Sequence, residues 1–214
     1  YAIYRPRYIL PDYRVYLEKG CQFLDLPVPK DLDEVLDGLL ILYSHVPSIT
    51  TFPVYIGRLD ELLEPFIEDE ESAYIKIKRF LNHVDKTIPD SFCHADIGPY
   101  DTRAGRLILR AIVELASPTP NMTIRYDKQK TPRDFAELAA KACLQVSKPS
   151  FANDAYYIRD LGEQYGIASC YNALPECGGA YTLTRLRLGT IGRACQTTAE
   201  MVEELLPRVA RCAL

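Results

Sequence analysis

Cys170 stands in Gly166-Ile-Ala-Ser-Cys170-Tyr-Asn-Ala-Leu-Pro-Glu-Cys177-Gly-Gly-Ala, the stretch whose residue types most suggest chemistry. Apolar Ile167 and Ala168 lead into a thiol, and Pro175 with Gly178-Gly179 after it argues against a continued helix or regular central strand. The expectation is a cysteine presented on a turn. Reactive groups gather on such turns, although a thiol there also packs as a small buried hydrophobe. Cys177 is the second candidate, with Glu176 as a neighbouring base and the two glycines leaving room for close approach. With six residues between them, Cys170 and Cys177 could instead close a redox loop.

For proton handling the candidates are His94, Asp96 and His45, because imidazole and carboxylate are the usual acid-base groups near neutral pH. Asn153, Asp154, Tyr171 and Asn172 are placed to orient a polar substrate, or else to serve as satisfied loop residues. Cys93, His94 and Asp96 are close in sequence, but adjacent residues point apart on a strand, and no second Cys/His pair has metal-site spacing. No metal is expected. His45 also fits a helix C-terminus, where a cation is favoured.

The elements that must position these groups are legible from caps and periodicity. Residues 1–20 read as an extended lead-in, with Asp12 capping a short helix over 13–19 that Gly20 closes. Asp31 caps a second helix through about Tyr43, followed by His45, and a strand is predicted over Ile49–Ile56. Gly57-Arg58-Leu-Asp60 turns into a helix, and a helix of alternating charge spans Asp69 to about Leu81, with His83 on this charged helix facing solvent. Phe92–Pro99 reads as a strand end, Thr102–Leu115 as a helix and Asn121–Tyr126 as a strand. Thr131 as N-cap and Pro132 at the first helical position open a helix to about Val146. A loop or strand over 148–154, a helix through about Tyr165, the cysteine turn, a strand over Tyr181–Leu188 and a terminal helix complete the order.

Strands alternating with helices of ordinary length argue for α/β architecture with parallel strands, where sites gather at the strands' carboxyl ends. At 214 residues the chain is long enough for one α/β domain spanning 1–214. A net charge of −4 with mixed signs supplies no basic field for nucleic acid. No apolar run approaches the roughly 18 residues that cross a bilayer. Seven irregularly placed cysteines suggest reduced thiols in a cytoplasmic protein. The start at Tyr1 and the uncapped pattern Met201–Leu214 suggest a piece of a longer protein.

Three stretches together resemble the glycyl radical enzymes, the group of pyruvate formate-lyase and the diol dehydratases. Gly57-Arg58-Leu59-Asp60 with Leu63 and Pro65 is similar to their Gly-Arg-x-Asp-x-x-Leu-x-Pro segment. Asn121–Tyr126, then Lys148-Pro149-Ser-Phe-Ala-Asn153-Asp154 and the run into Cys170, resembles the approach to their thiyl-radical cysteine. Tyr4–Tyr13, Tyr43-Ser-His-Val-Pro47, Ile88–Pro99 and Ser169–Pro175 resemble the poorly characterised YjjI-type branch.

The resemblance implies an arc of a ten-stranded α/β barrel. It also implies radical C–H activation of lyase or dehydratase type on a small polar substrate, with Cys170 as the thiyl residue. The radical-storing glycine, in an Arg-Val-x-Gly-Tyr motif, would lie elsewhere in the full-length protein and be installed by an iron–sulfur, S-adenosylmethionine-dependent activating enzyme. Here the nearest string is Arg208-Val-Ala-Arg-Cys212, without glycine or tyrosine, so this chain is not expected to act alone or to bind a cofactor itself. The dehydratases' glutamate two residues beyond the cysteine is replaced by Asn172, and the adjacent cysteine pair of pyruvate formate-lyase is also missing. A non-radical structural or regulatory relative stays open beside the thiol redox reading. Whether the protein forms a homodimer is likewise left open.

Overall fold

The computed structural model describes residues 8–50, 54–88, 93–168, 172–180 and 187–213. The chain divides into two compact units, Tyr1–Tyr181 and Thr182–Leu214.

The larger unit is built on a parallel sheet of four strands in sequence order: β2 (Val54–Arg58), β3 (Cys93–Ile97), β4 (Asn121–Tyr126) and β5 (Ser150–Asn153). Every crossover carries a helix, which parallel pairing requires. These are α3 (Leu59–Leu63) with α4 (Glu70–Thr87), α5 (Arg103–Leu115) and α6 (Arg133–Val146); α1 (Arg14–Lys19) and α2 (Leu32–Ile49) precede the sheet. Helix starts are fixed by side-chain caps: Asp31 accepts from Glu34 N, Asp69 from Ser72 N and Thr102 from Gly105 N.

Strand alternation separates two faces. Val54, Ile56, Cys93, Ala95, Ile97, Met122 and Ile124 join one core with Leu39 and Tyr43 of α2, Ile77 and Phe80 of α4, Ile108 of α5 and Phe135 of α6. Helices α2 to α6 therefore pack on a single face. The opposite face is covered by other elements. They are α7 (Asp154–Leu161) and an antiparallel hairpin of β6 (Tyr165–Ala168) with β7 (Asn172–Pro175). A two-residue ladder of β1 (Tyr8–Ile9) with β8 (Gly179–Ala180), and the bond from Cys177 N to Leu10 O, tie the end of this hairpin to the lead-in.

Several boundaries differ from the sequence expectation, each for a tertiary reason. Helix α2 continues past Tyr43 to Ile49 because Val46 extends its buried stripe, so His45 sits within the helix and the following strand begins at Val54. Helix α4 runs on to Thr87 because Val84 is buried. Pro132, not Thr131, occupies the N-cap of α6, and the Thr131 hydroxyl instead accepts from Asp127 N. Helix α7 stops at Leu161, where Gly162 adopts φ 85°, and Tyr165 opens a strand rather than ending a helix. The stretch read as a turn is thus largely a hairpin. The strand expected over Tyr181–Leu188 falls mostly on 181–186, outside the described residues, and Leu188 begins a helix. The described residues show a four-stranded parallel sheet with helices around it, and not a ten-stranded barrel.

The smaller unit holds helices Leu188–Ala194 (α8) and Leu206–Ala213 (α9) with a π-helical turn, Glu200–Leu205, between them. Among the described residues no helix is long and apolar enough to cross a membrane.

Candidate functional site

A sheet face turned away from its helices would ordinarily be apolar if buried. Here it carries Tyr55 of β2, His94 and Asp96 of β3, and Thr123 and Arg125 of β4, all 2 % exposed or less. The hairpin and α7 seal this polar layer, and Asp154 joins it, fully buried, from the start of α7. Burying so many polar groups is costly unless they are bonded. The bonds they make are what seat the hairpin.

Two tethers run from the sheet. Asp96 Oδ2 accepts the backbone N–H of Ile167 at 2.8 Å and the hydroxyl of Tyr55 at 3.1 Å. At the other end, Arg125 Nε donates to Asp154 Oδ1 at 2.8 Å, and the same oxygen accepts the Tyr165 hydroxyl at 2.7 Å. The Arg125 guanidinium lies 4.0 Å from the centre of the Tyr165 ring and its Nη2 donates to Glu163 O at 3.3 Å. Between the tethers β6 lies directly on the sheet. Gly166 makes that possible, since a Cβ there would sit 2.5 Å from the Tyr55 hydroxyl.

Burial dominates the electrostatics. It pushes Asp96 up to about 7, against the opposing pull of the Ile167 N–H and Arg125. Burial likewise raises Asp60 to about 7, although Gly98 N donates to its Oδ2 at 2.8 Å. His94 is pushed down to about 4 by burial, so it is a neutral imidazole near pH 7. Burial disfavours charge on Arg125, but Tyr165 and Asp154 beside it outweigh that and hold the guanidinium charged.

A carboxyl with a raised native pKa holds a proton that the unfolded chain has released, so its contribution to stability is lost as pH rises through the interval between the two values. For Asp96 that interval runs from the ordinary 3.8 to about 7. His94 acts oppositely below its ordinary 6.5, so the whole-protein profile mixes the two. The difference between Asp96→Asn and wild type isolates the carboxyl. Thermal melts are expected to favour the variant increasingly from pH 4 to pH 7, and a difference independent of pH would refute the assignment.

Of the residues singled out in the sequence, His94, Asp96 and Asp154 are brought to the buried polar layer. Asn153 caps α7 by accepting from Tyr156 N at 3.2 Å, at the edge of that layer. Asn172 is the first residue of β7, paired with Ala168. Glu176 is clamped by Arg14 Nη2 at 2.6 Å and Arg58 Nε at 3.1 Å; burial raises its pKa while Arg58 and Arg14 oppose the shift. Cys177 is exposed beside it, at φ 60°. His45 is exposed on α2, in the helix layer across the sheet from His94. Cys170 and Tyr171 lie outside the described residues, between the paired ends Ala168 and Asn172. Sequence reasoning missed Tyr55, Arg125 and Tyr165 as parts of the layer. An arginine alternating with isoleucine and threonine in Asn121–Tyr126 looks like a solvated strand face until something is laid over it.

The fold and this thiol-flanking hairpin meet in a known class: the chain belongs to the glycyl radical enzymes of the YjjI-like family. The family model described as "Glycyl radical enzyme YjjI-like" matches residues 1–214. The chain is 83 % identical over 214 residues to an uncharacterized protein of Haemophilus influenzae, covering all of this chain and 42 % of that protein. It is 44 % identical over 210 residues to the uncharacterized protein YjjI of Escherichia coli K12, covering 97 % of this chain and 41 % of that protein. The chain therefore spans about two fifths of the length of these curated relatives.

Proposed function

We propose that this chain supplies the thiol-bearing part of a glycyl radical enzyme that activates a C–H bond of a small polar substrate in a lyase or dehydratase reaction, with Cys170 carrying the thiyl radical. The observation that carries the reading is the hairpin: its last described pair, Ala168 with Asn172, flanks Cys170, and it is bonded down onto a buried polar sheet face. A thiyl radical needs shielding from water and oxidants, and a hairpin anchored to a buried face is a support suited to that need. The sequential parallel order with helices on one face fits an arc of a barrel, whose interior is the face the hairpin covers. By contrast Cys177 is exposed on the turn after β7.

In the proposed cycle the Cys170 thiol gives its hydrogen atom to a glycyl radical from the rest of the protein, leaving a glycine C–H and a sulfur-centred radical. That sulfur then takes a hydrogen atom from a substrate carbon, and returns one to the product radical. In the first and last transfers an S–H bond breaks as a C–H bond forms, and in the middle one the reverse, so each transfer is nearly balanced; the thiyl radical left at the end takes back the glycine hydrogen and restores the glycyl radical. The glycyl radical is installed by an iron–sulfur, S-adenosylmethionine-dependent activating enzyme.

The test needs no substrate. In the full-length protein, activated anaerobically, the single α-hydrogen of the glycyl radical splits its electron paramagnetic resonance signal into a doublet. In D2O the thiol carries deuterium, and reversible transfer through it replaces that hydrogen, collapsing the doublet. Wild type and Cys177→Ala are expected to collapse, whereas Cys170→Ala keeps its doublet. Collapse in Cys170→Ala at the wild-type rate would sink the assignment.

A further inference from the structure

Three tyrosines lead from the buried polar layer to solvent. Tyr165 on β6 is fully buried, Tyr157 on α7 is half-buried and Tyr156 beside it is 47 % exposed. The ring centroids of Tyr165 and Tyr157 are 5.4 Å apart at 38°, and those of Tyr157 and Tyr156 are 5.4 Å apart at 84°. Such spacing is ordinary for packed aromatic rings. Packing alone does not call for the polar arrangement at the two ends.

At the inner end the Tyr165 hydroxyl donates to Asp154 Oδ1 at 2.7 Å. Burial raises the pKa of this phenol, so it holds its proton until an electron is withdrawn. A phenol that loses an electron becomes a strong acid, and Asp154 stands where that proton must go. The Arg125 guanidinium, 4.0 Å from the centre of the Tyr165 ring, makes this ring the hardest of the three to leave oxidised, which sets the direction outward. At the outer end Tyr156 and Tyr157 both line an open cavity of about 220 Å³, where solvent can take and return their protons.

We propose that Tyr165, Tyr157 and Tyr156 form a one-electron relay that carries an oxidising hole out of the buried layer to a solvent reductant, with Asp154 taking the Tyr165 proton. The hole comes from a sulfur- or oxygen-centred radical formed in the interior, and the reductant is ascorbate or its chemical like. In the first step that radical takes one electron from Tyr165 and a proton from water, while the Tyr165 O–H bond breaks and its proton passes to Asp154 Oδ1. The Tyr165 radical then takes an electron from Tyr157 and its proton back from Asp154, and Tyr157 releases its own proton to solvent. Tyr157 is restored by an electron from Tyr156 and a proton from solvent, as Tyr156 loses its proton to solvent. Ascorbate returns an electron to Tyr156, which regains a proton from solvent. One electron and one proton have then moved from ascorbate to the interior radical. The relay lies beyond the proposed reaction and does not depend on which thiol performs it.

The experiment uses the full-length protein with 3-aminotyrosine at position 165, an analogue that is easier to oxidise and so draws a hole inward along the same path. Photo-oxidised ruthenium tris-bipyridine in solution removes electrons from exposed groups, and the radical trapped at 165 is quantified by electron paramagnetic resonance after freezing. Tyr157→Phe keeps the ring but removes the hydroxyl on which its oxidation depends, so the yield at 165 is expected to fall at least about tenfold. Asp154→Asn removes the proton acceptor and is expected to lower the yield by at least about tenfold as well. If Asp154→Asn does not fold, as judged by thermal melts, Arg125→Met with Asp154→Asn takes its place. Tyr126→Phe alters a tyrosine that pairs with Phe151 outside the ladder, and it is expected to stay within about twofold of the parent. If the added amino group prevents folding, the radical of the natural Tyr165 is read instead, identified as the signal lost in Tyr165→Phe. An unchanged yield in Tyr157→Phe overturns the relay, and so does an equal fall in Tyr126→Phe. An unchanged yield in Asp154→Asn overturns the assignment of the proton acceptor. Collapse or persistence of the glycyl doublet in D2O leaves these yields as they are, so the two readings fail separately.

Discussion

Arg125→Met is expected to destabilise the protein by about 3–5 kcal/mol, the cost of removing one partner from a buried ion pair. Methionine fills much of the space and keeps an apolar stem against the Tyr165 ring. It returns nothing to Asp154, whose Oδ1 loses the 2.8 Å bond from Nε and keeps only the Tyr165 hydroxyl, with Lys130 Nζ 3.7 Å from Oδ2. A carboxylate at zero exposure must then be neutralised or exposed. The size of the penalty thus lies in the orphaned Asp154 more than in the lost attraction. Arg125→Met with Asp154→Asn is therefore expected to recover more than half of the loss. Urea unfolding of the two single variants and the double variant measures the coupling. A single variant costing less than about 1 kcal/mol would show that the pair does not hold the layer together.

Gly166→Ala is the second large effect, and it is steric. The added methyl would stand 2.5 Å from the Tyr55 hydroxyl and 2.9 Å from Leu10 Cδ2, inside any real carbon contact. Tyr55 cannot easily retreat, because its hydroxyl is bonded to Asp96 and its carbonyl accepts the Tyr13 hydroxyl at 2.7 Å. The strand must lift, stretching the Ile167–Asp96 bond. A cost of about 1–3 kcal/mol or more is expected, as for overpacking elsewhere. Under the proposed function, hydrogen transfer at Cys170, read as doublet collapse in D2O, is expected to slow on the order of 100-fold, as displacements of about 1 Å do. Collapse at the wild-type rate in a folded Gly166→Ala protein would mean that the contact with Tyr55 is not what places the thiol. Because the nearest clash is with Tyr55, the cost of Gly166→Ala is expected to be smaller in a Tyr55→Ala background than in wild type, as a double-mutant cycle would read.

The parts of the fold legible in the sequence are those set by local signals. Asp69 and Thr102 announced α4 and α5, and Asn121–Tyr126 matches β4 at both ends. The hairpin was not legible as one, because Gly166 and Pro175 are poor strand residues by themselves. Each is tolerated for a tertiary reason: Gly166 by its approach to Tyr55, Pro175 in an outer strand with one paired neighbour. The site was legible as residue types but not as roles. Asp96 and Asp154 stood out as carboxylates near turns; that one is bonded to the hairpin backbone and the other to Arg125 depends on contacts 71 and 29 positions away in the chain. Burial of Tyr55 and Arg125 had no local signal at all, since alternation looks the same whether water or a hairpin covers the polar side.

The long reach of those contacts also orders events in time. Tyr55, Asp96 and Arg125 all precede Tyr165, so a ribosome has finished the seat before it makes the strand that sits there. The hairpin closes over a short loop of chain and is quick to form, whereas its docking bridges 71 positions and is slow by comparison. Docking of the hairpin is therefore a late folding step. It joins a locally formed piece to a platform already waiting for it.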